Sequence, residues 1–198
     1  MTVVLVGAGG HAKGVVEALE LSGRPVVIYV DPIRANWLKA AHQIDDAAVE
    51  PSAGALAMGV GGVAPDALKS RLALLARYLD RGFDAPPVIH PMAVVSGKAH
   101  LAPGVIALAG AVIQPDARVG RGALINTGAI VEHDSVIGEG AHIGPGAVVL
   151  GGVTIGACCM IGAGAVVLPG AAVPAMTTVA AASRFVGGAR QPTERAAS

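Results

Sequence analysis

Aromatic side chains are nearly absent from this 198-residue chain: two Phe, two Tyr and one Trp make up 3% of it. That excludes a core of interlocking rings, so the 53% hydrophobic content must pack as small and aliphatic side chains. Charge is scarce too, at 14% of residues, and 14 basic groups balance 14 acidic ones. Such a chain carries no electrostatic footprint for nucleic acid, and none is expected as a partner. No apolar run approaches the ~18 residues of a membrane helix, so no membrane association is expected. The opening MTVVLVGAGGHAK lacks a basic flank and breaks into glycines, and reads as a first strand rather than a secretion signal. The only cysteines, Cys158 and Cys159, are adjacent. Neighbouring cysteines close no useful loop, which points to free thiols and a reducing, cytoplasmic setting.

What the chain does have is a repeat. Stepping by six from Ile89 gives Val95, Leu101, Ala107, Ile113, Val119, Ile125, Val131 and onward to Val179, aliphatic in all but one of sixteen places. Four residues after each stands a small one: Ala93, Ala99, Val105, Ala111 and so on, through Ser135 and Cys159, to Ser183. This fits neither a helical period nor a plain alternating strand. It fits a triangular solenoid in which each hexad supplies a face and a corner, and three hexads make a coil. Coils a strand spacing apart give a prism roughly 25 Å tall over five coils. A different β-solenoid or a glycine-rich loop region is the plainer alternative.

The first half alternates strands and helices. Residues 2–7 (TVVLVG) and 26–30 (VVIYV) read as strands, and 55–61 (ALAMGVG) as a third. A helix with Ala12, Val15, Val16 and Leu19 on its apolar face stops at Gly23. A second opens at Pro65, carries Leu68, Leu72, Leu75 and Leu79, and stops at Gly82. The alternation predicts a small parallel sheet of Rossmann type. Residues 32–54 give no clear signal, and Asp45 and Asp46 within them read as solvated.

The fold expected is thus an α/β Rossmann-like domain over residues 1–87, then a parallel β-helix over 88–184, then a tail over 185–198. Gly7, Gly9 and Ala12 form a G-x-G-x-x-A turn with Asp31 about twenty residues on. Its physical content is backbone N–H groups offered to phosphate at a helix N-terminus. A nucleotide-sugar, a dinucleotide cofactor such as NAD, or a purely structural turn would each satisfy it. The short domain favours the nucleotide-sugar.

In the hexad at Val131, His133 and Asp134 fall at the corner, where side chains point outward. A neutral imidazole can take a proton from an attacking nucleophile, and the carboxylate beside it can orient the ring. One coil above, at 133 plus 18, stand Gly151 and Gly152. Glycines there leave room for a ligand, and an exposed N–H could hold an oxygen on which negative charge develops.

The GAGGHAK turn, VIHPMAVVS over 88–96 and INTGAIVEHDSVIGEGAHIGPGAVVLGGVTIG over 125–156 together resemble the nucleotide-sugar acetyltransferases of the sialic acid O-acetyltransferase group. The resemblance spans about residues 2–180. It implies a left-handed solenoid, a homotrimer, and acetyl-CoA as co-substrate lying along the solenoid between two subunits. It implies N-acetylation of an amino group on a nucleotide-linked 4-amino-sugar, with O-acetylation of a sugar or a sialic acid as the nearest rival. By the same resemblance His133 is the general base with Asp134 beside it. Gly9, Gly10, His11, Asp31 and Asn126 meet the nucleotide-sugar, and His142, Gly151 and Ala163 meet the cofactor. His90 is expected to be structural, while His100 and His42 carry no signal. The chain departs from the group after Asp31, where Pro32 replaces a second acidic residue, and at VAAASRFVGG near the end. No metal is expected: the histidines lack the tight spacing of a zinc carbonic anhydrase on this fold. A solenoid that binds without catalysing is the remaining alternative.

Overall fold

The computed structural model describes residues 1–187. The tail expected over 185–198 therefore lies, from residue 188, outside the described residues.

The N-terminal part is a four-stranded parallel sheet of β1 (Val3–Val6), β2 (Val26–Val30), β3 (Ala41–Gln43) and β4 (Ala55–Met58), in the order β3-β2-β1-β4. Strands β1 and β4, a central strand and its neighbour at the sheet edge, are buried throughout and carry no polar side chain, as strands covered on both faces must. Helix α1 (Gly10–Leu21) follows the glycine turn and ends where Gly23 adopts φ 66°. Helix α2 (Pro65–Asp80) opens with Pro in its first turn.

Four local expectations need correction. β3 lies in the stretch that gave no signal, because three residues at a sheet edge are too short for a periodic pattern. The third strand stops at Met58, and residues 59–62 instead form a glycine loop. Asp46 is not simply solvated: its carboxylate pairs with Arg77 at 2.7 Å and Arg81 at 3.1 Å. The buried face of α2 is Leu68, Arg71, Leu75 and Tyr78, so an arginine and a tyrosine stand where a leucine stripe was expected.

From Val88 the chain coils into two-residue rungs that stack into three parallel sheets of six, six and five strands. Rungs eighteen residues apart pair without a slip, as in Val131 with Val149 and Ile143 with Ile161. Both members of the repeat point inward: Val131, Ile137 and Ile143 are fully buried, and so are Ala129, Ser135 and Ala141. The last rung is Arg184–Phe185, one residue past the expected end of the solenoid, with Phe185 opposite Val167.

Corners turn through a residue with positive φ at position 104 and every sixth residue to 182. Most are glycine, but Asp134 takes φ 59°. Aspartate is among the few residues that enter this region at modest cost.

The N-terminal part covers one face of the solenoid. Ile106 and Leu124 point out of the coil into the same cluster as Leu75, Tyr78 and Val15. Arg71, 2% exposed, bridges the two parts: Nε donates to the Val60 carbonyl at 2.8 Å and Nη1 to the Gly122 carbonyl. Burial without a carboxylate partner pulls its pKa down to about 10.

Because the solenoid core is a stack of single aliphatic side chains, truncation leaves a hole no neighbour can fill. Ile143→Ala is expected to cost about 2–5 kcal/mol in denaturant unfolding. Lys98→Ala, on an exposed corner, stays within about 0.5 kcal/mol of wild type.

Candidate active site

Chemically competent side chains gather at two corners of the solenoid. Residues 132–135 link the rung Ile130–Val131 to the next face and carry His133 and Asp134. Both side chains are exposed, at 63% and 66%. His133 Nδ1 lies 2.7 Å from Asp134 Oδ2, so Nδ1–H donates and the free lone pair resides on Nε2. The carboxylate's hydrogen bond raises the His133 pKa above the ordinary histidine value. Directly above, Gly151 makes space for the ring: a Cβ there would stand 2.8 Å from His133 Nε2. The Gly152 N–H is spent on the His133 carbonyl at 3.0 Å, whereas the Gly151 N–H has no acceptor among the described residues.

The second group stands on the preceding corner and face, against the N-terminal part. His142 points out of the coil but is buried, not an edge residue, because the glycine loop after β4 covers it. Its Nδ1 donates to the Gly62 carbonyl at 2.7 Å, and its Nε2 accepts from Asn126 Nδ2 at 2.9 Å. A carbonyl can only accept, which fixes this neutral tautomer. Asn126 Oδ1 in turn accepts from the Thr127 N–H at 2.8 Å. One Asn126 N–H remains for a ligand. Sequence reasoning missed Gly61 and Gly62: Gly61 fell in the GVG run read as the end of a strand, and Gly62 lay just beyond it; His11 packs on Gly61, where a Cβ would stand 3.1 Å from the His11 Cβ.

His11 Nε2 is buried without a partner among the described residues. Burial, then the nearby Arg71 charge and His142, push its pKa down to about 4. Burial, with Arg71 as a further cause, lowers His142 as well. Both rings are neutral near pH 7.

The glycine turn lies at the C-terminal end of β1. Gly9 and Gly10 are exposed, and a Cβ at either would meet nothing within 4 Å, so the chain leaves that space open. Gly7, at φ 88°, is required by the fold, since its Cβ would strike Val60 at 2.5 Å. Asp31 accepts from the Ala8 N–H at 2.7 Å and the Ile33 N–H at 2.8 Å. Ala163 is exposed at the corner carrying Asn126, two coils further up, and so stands apart from Gly151.

Other histidines serve the fold: His90 Nδ1 accepts from the Met92 N–H, and His42 stacks on Tyr29 with ring centres 4.9 Å apart. Cys158 and Cys159 are free and buried, and burial raises both thiols, which rules them out as activated nucleophiles.

A parallel solenoid of hexads with a histidine–carboxylate pair on an open corner defines a hexapeptide-repeat transferase. The family model "Bacterial transferase hexapeptide (six repeats)" matches residues 134–169. Among solved structures, a point mutant of perosamine N-acetyltransferase from Caulobacter crescentus, crystallised with CoA and GDP-perosamine, is 36% identical over 94% of this chain and 89% of its own, with a TM-score of 0.85. The acetyltransferase domain of PglB from Neisseria gonorrhoeae FA1090 is 27% identical, covering 91% of this chain and 97% of that one, at a TM-score of 0.75. WeeI from Acinetobacter baumannii AYE, at 20% identity and a TM-score of 0.61, shares the fold. No curated protein matches significantly. The chain belongs to the nucleotide-sugar acetyltransferases of the hexapeptide-repeat class.

Two predictions follow from the geometry. Gly151→Ala displaces the His133 ring while leaving the coil intact, and kcat is expected to fall about a hundredfold without a change in melting temperature. For His11, the folded pKa of about 4 lies below the unfolded value of 6.5, so the unfolded chain takes up the proton first. Stability attributable to His11 is full above pH 6.5 and declines towards pH 4, by roughly 3 kcal/mol at most. The loss of melting temperature on acidification should be smaller in His11→Asn than in wild type.

Proposed function

We propose that this protein transfers an acetyl group from acetyl-CoA to the amino group of a nucleotide-linked 4-amino-sugar. The observation that carries the reading is the His133–Asp134 pair, with a free Nε2 beneath the side-chain-free Gly151. Its kinship with an N-acetyltransferase crystallised with CoA and GDP-perosamine supports the same co-substrate and acceptor class.

In the reaction, His133 Nε2 removes a proton as the acceptor nitrogen bonds to the thioester carbonyl carbon. Asp134 holds the ring in the tautomer that leaves Nε2 free and stabilises the imidazolium. The Gly151 N–H donates to the carbonyl oxygen as negative charge builds there. When the C–S bond breaks, His133 returns its proton to the departing sulfur. Asn126 holds the sugar, ordered by His142, and His11 borders it. Gly9 and Gly10 offer N–H groups to the diphosphate, which fits their open surroundings. Acetyl-CoA runs along the solenoid past Gly151 and Ala163, and His142 contributes through Asn126.

The two groups stand at different corners, which supports a site completed by a second subunit. The solenoid sheet that includes the rungs Ile130–Val131 and Arg184–Phe185 carries an outward stripe of Val94, exposed in one chain, and Val112, Ile130, Val148 and Val166, half-buried in it. An aliphatic stripe of this kind fits burial in a homotrimer. We read the coil as left-handed, the first part as a Rossmann-like nucleotide-binding domain over residues 1–87 and the solenoid as a domain over 88–184. Free thiols fit a cytoplasmic location, and no helix among the described residues is long and apolar enough to cross a membrane.

CoA release measured with acetyl-CoA and a panel of UDP- and GDP-linked 4-amino-sugars tests this. Turnover is expected with one sugar and falls ~100-fold or more in His133→Ala. The acid limb of wild-type kcat is expected above pH 6.5, because Asp134 raises the imidazole. Asp134→Asn moves that limb to lower pH. Turnover unaffected by His133→Ala would contradict the assignment.

A further inference from the structure

The stretch 32–54 carries the chain's only tryptophan, and the activity described above leaves it unused. Trp37 is 38% exposed, and its indole Nε1 donates to the Ala8 carbonyl at 3.1 Å. Ala8 is the second residue of the glycine turn, and its N–H is held by Asp31 Oδ2 at 2.7 Å. Ala8 is therefore gripped from both sides, by a carboxylate from the end of β2 and an indole from the following loop. Lys13, on the first turn of α1, lies 5.8 Å from the centre of the indole ring.

We infer that Trp37 and Asp31 are positioning residues for the nucleotide: they pin the Ala8 peptide so that the N–H groups of Gly9 and Gly10 stay turned towards the diphosphate. This rests on the nucleotide-sugar reading given above and deepens it. A turn built from glycine is the least self-ordered backbone in the chain, since neither Gly9 nor Gly10 meets any neighbour through a side chain. Without a clamp, the turn would have to be ordered on binding, at the expense of affinity. Each Asp31 carboxylate oxygen accepts one backbone N–H group, which commits the side chain to the turn and leaves further lone pairs for the nucleotide-sugar. The Ala8 N–H, spent on Asp31, is not offered to phosphate. The single acidic residue before Pro32 is then sufficient: the second grip comes from Trp37, six residues further on.

The same indole reports the event. As the sole tryptophan, hydrogen-bonded to the turn, Trp37 dominates the intrinsic fluorescence excited at long wavelength. Titrating the wild-type protein with GDP and with UDP should change that emission saturably, whereas CoA should leave it unaltered. Trp37→Phe keeps an aromatic ring but loses the N–H, and one ordinary hydrogen bond corresponds to about a fivefold change. The KM for the nucleotide-sugar, and the Kd of the better nucleotide by calorimetry, should rise by about that factor, with kcat and the KM for acetyl-CoA unchanged. A folded Trp37→Phe variant with wild-type nucleotide affinity overturns the positioning role while leaving the acetyl-transfer reading intact. An emission indifferent to a nucleotide that calorimetry shows to bind overturns it as well, and needs no variant to fold. If calorimetry finds that wild type binds neither nucleotide, the nucleotide-sugar reading itself falls, and this role with it.

Discussion

The eighteen-residue register between stacked coils is the constraint on which the rest depends. Each inward aliphatic lies beneath its successor, as Val131 beneath Val149, and the ladder of backbone hydrogen bonds allows no slip. A residue at a corner is consequently placed by counting. His133 stands under Gly151 because the two are one coil apart, and the missing side chain at Gly151 is what gives the imidazole its room. A single inserted residue between them would turn the aliphatic row outward and separate the base from the amide above it.

The second constraint is the junction between the N-terminal part and the coil. One face of the solenoid is covered, and its outward residues Ile106 and Leu124 join the core of the first part. The glycine loop after β4 takes hydrogen bonds from two polar groups trapped there: Arg71 holds Val60, and His142 holds Gly62. The buried guanidinium has a chemical consequence, since together with burial it keeps His11 and His142 neutral. The exposed His133, tied to a carboxylate, is shifted the opposite way. Histidines in one small chain thus acquire different proton affinities from their surroundings alone.

The solenoid was legible because its pattern is local and repeated: an aliphatic, then a small residue four places on, with nothing inserted. Periodicity also placed His133 and Asp134 on a corner and Gly151 above them. It could not reveal what is decided across parts of the chain. His142 occupies an outward rung position, and only the loop at Gly61 and Gly62 makes it a buried, tautomer-fixed group. Arg71 and Tyr78 sit on the buried face of α2 because a backbone carbonyl and a solenoid face await them, which a leucine period does not announce. The edge strand Ala41–Gln43 and Trp37 lie in a stretch whose order comes from its neighbours.

The central claim is that the base on one corner and the Asn126–His142 pair on another act on a single substrate across a subunit boundary. The most direct test is complementation between two inactive variants, His133→Ala and Asn126→Ala, co-expressed with different affinity tags and purified as hybrids. A site shared between neighbouring subunits predicts that hybrids regain a sizeable fraction of wild-type acetyl transfer, since some interfaces then carry both intact groups. Hybrids as inactive as their parents would mean that each site is built within one chain, and would contradict the account.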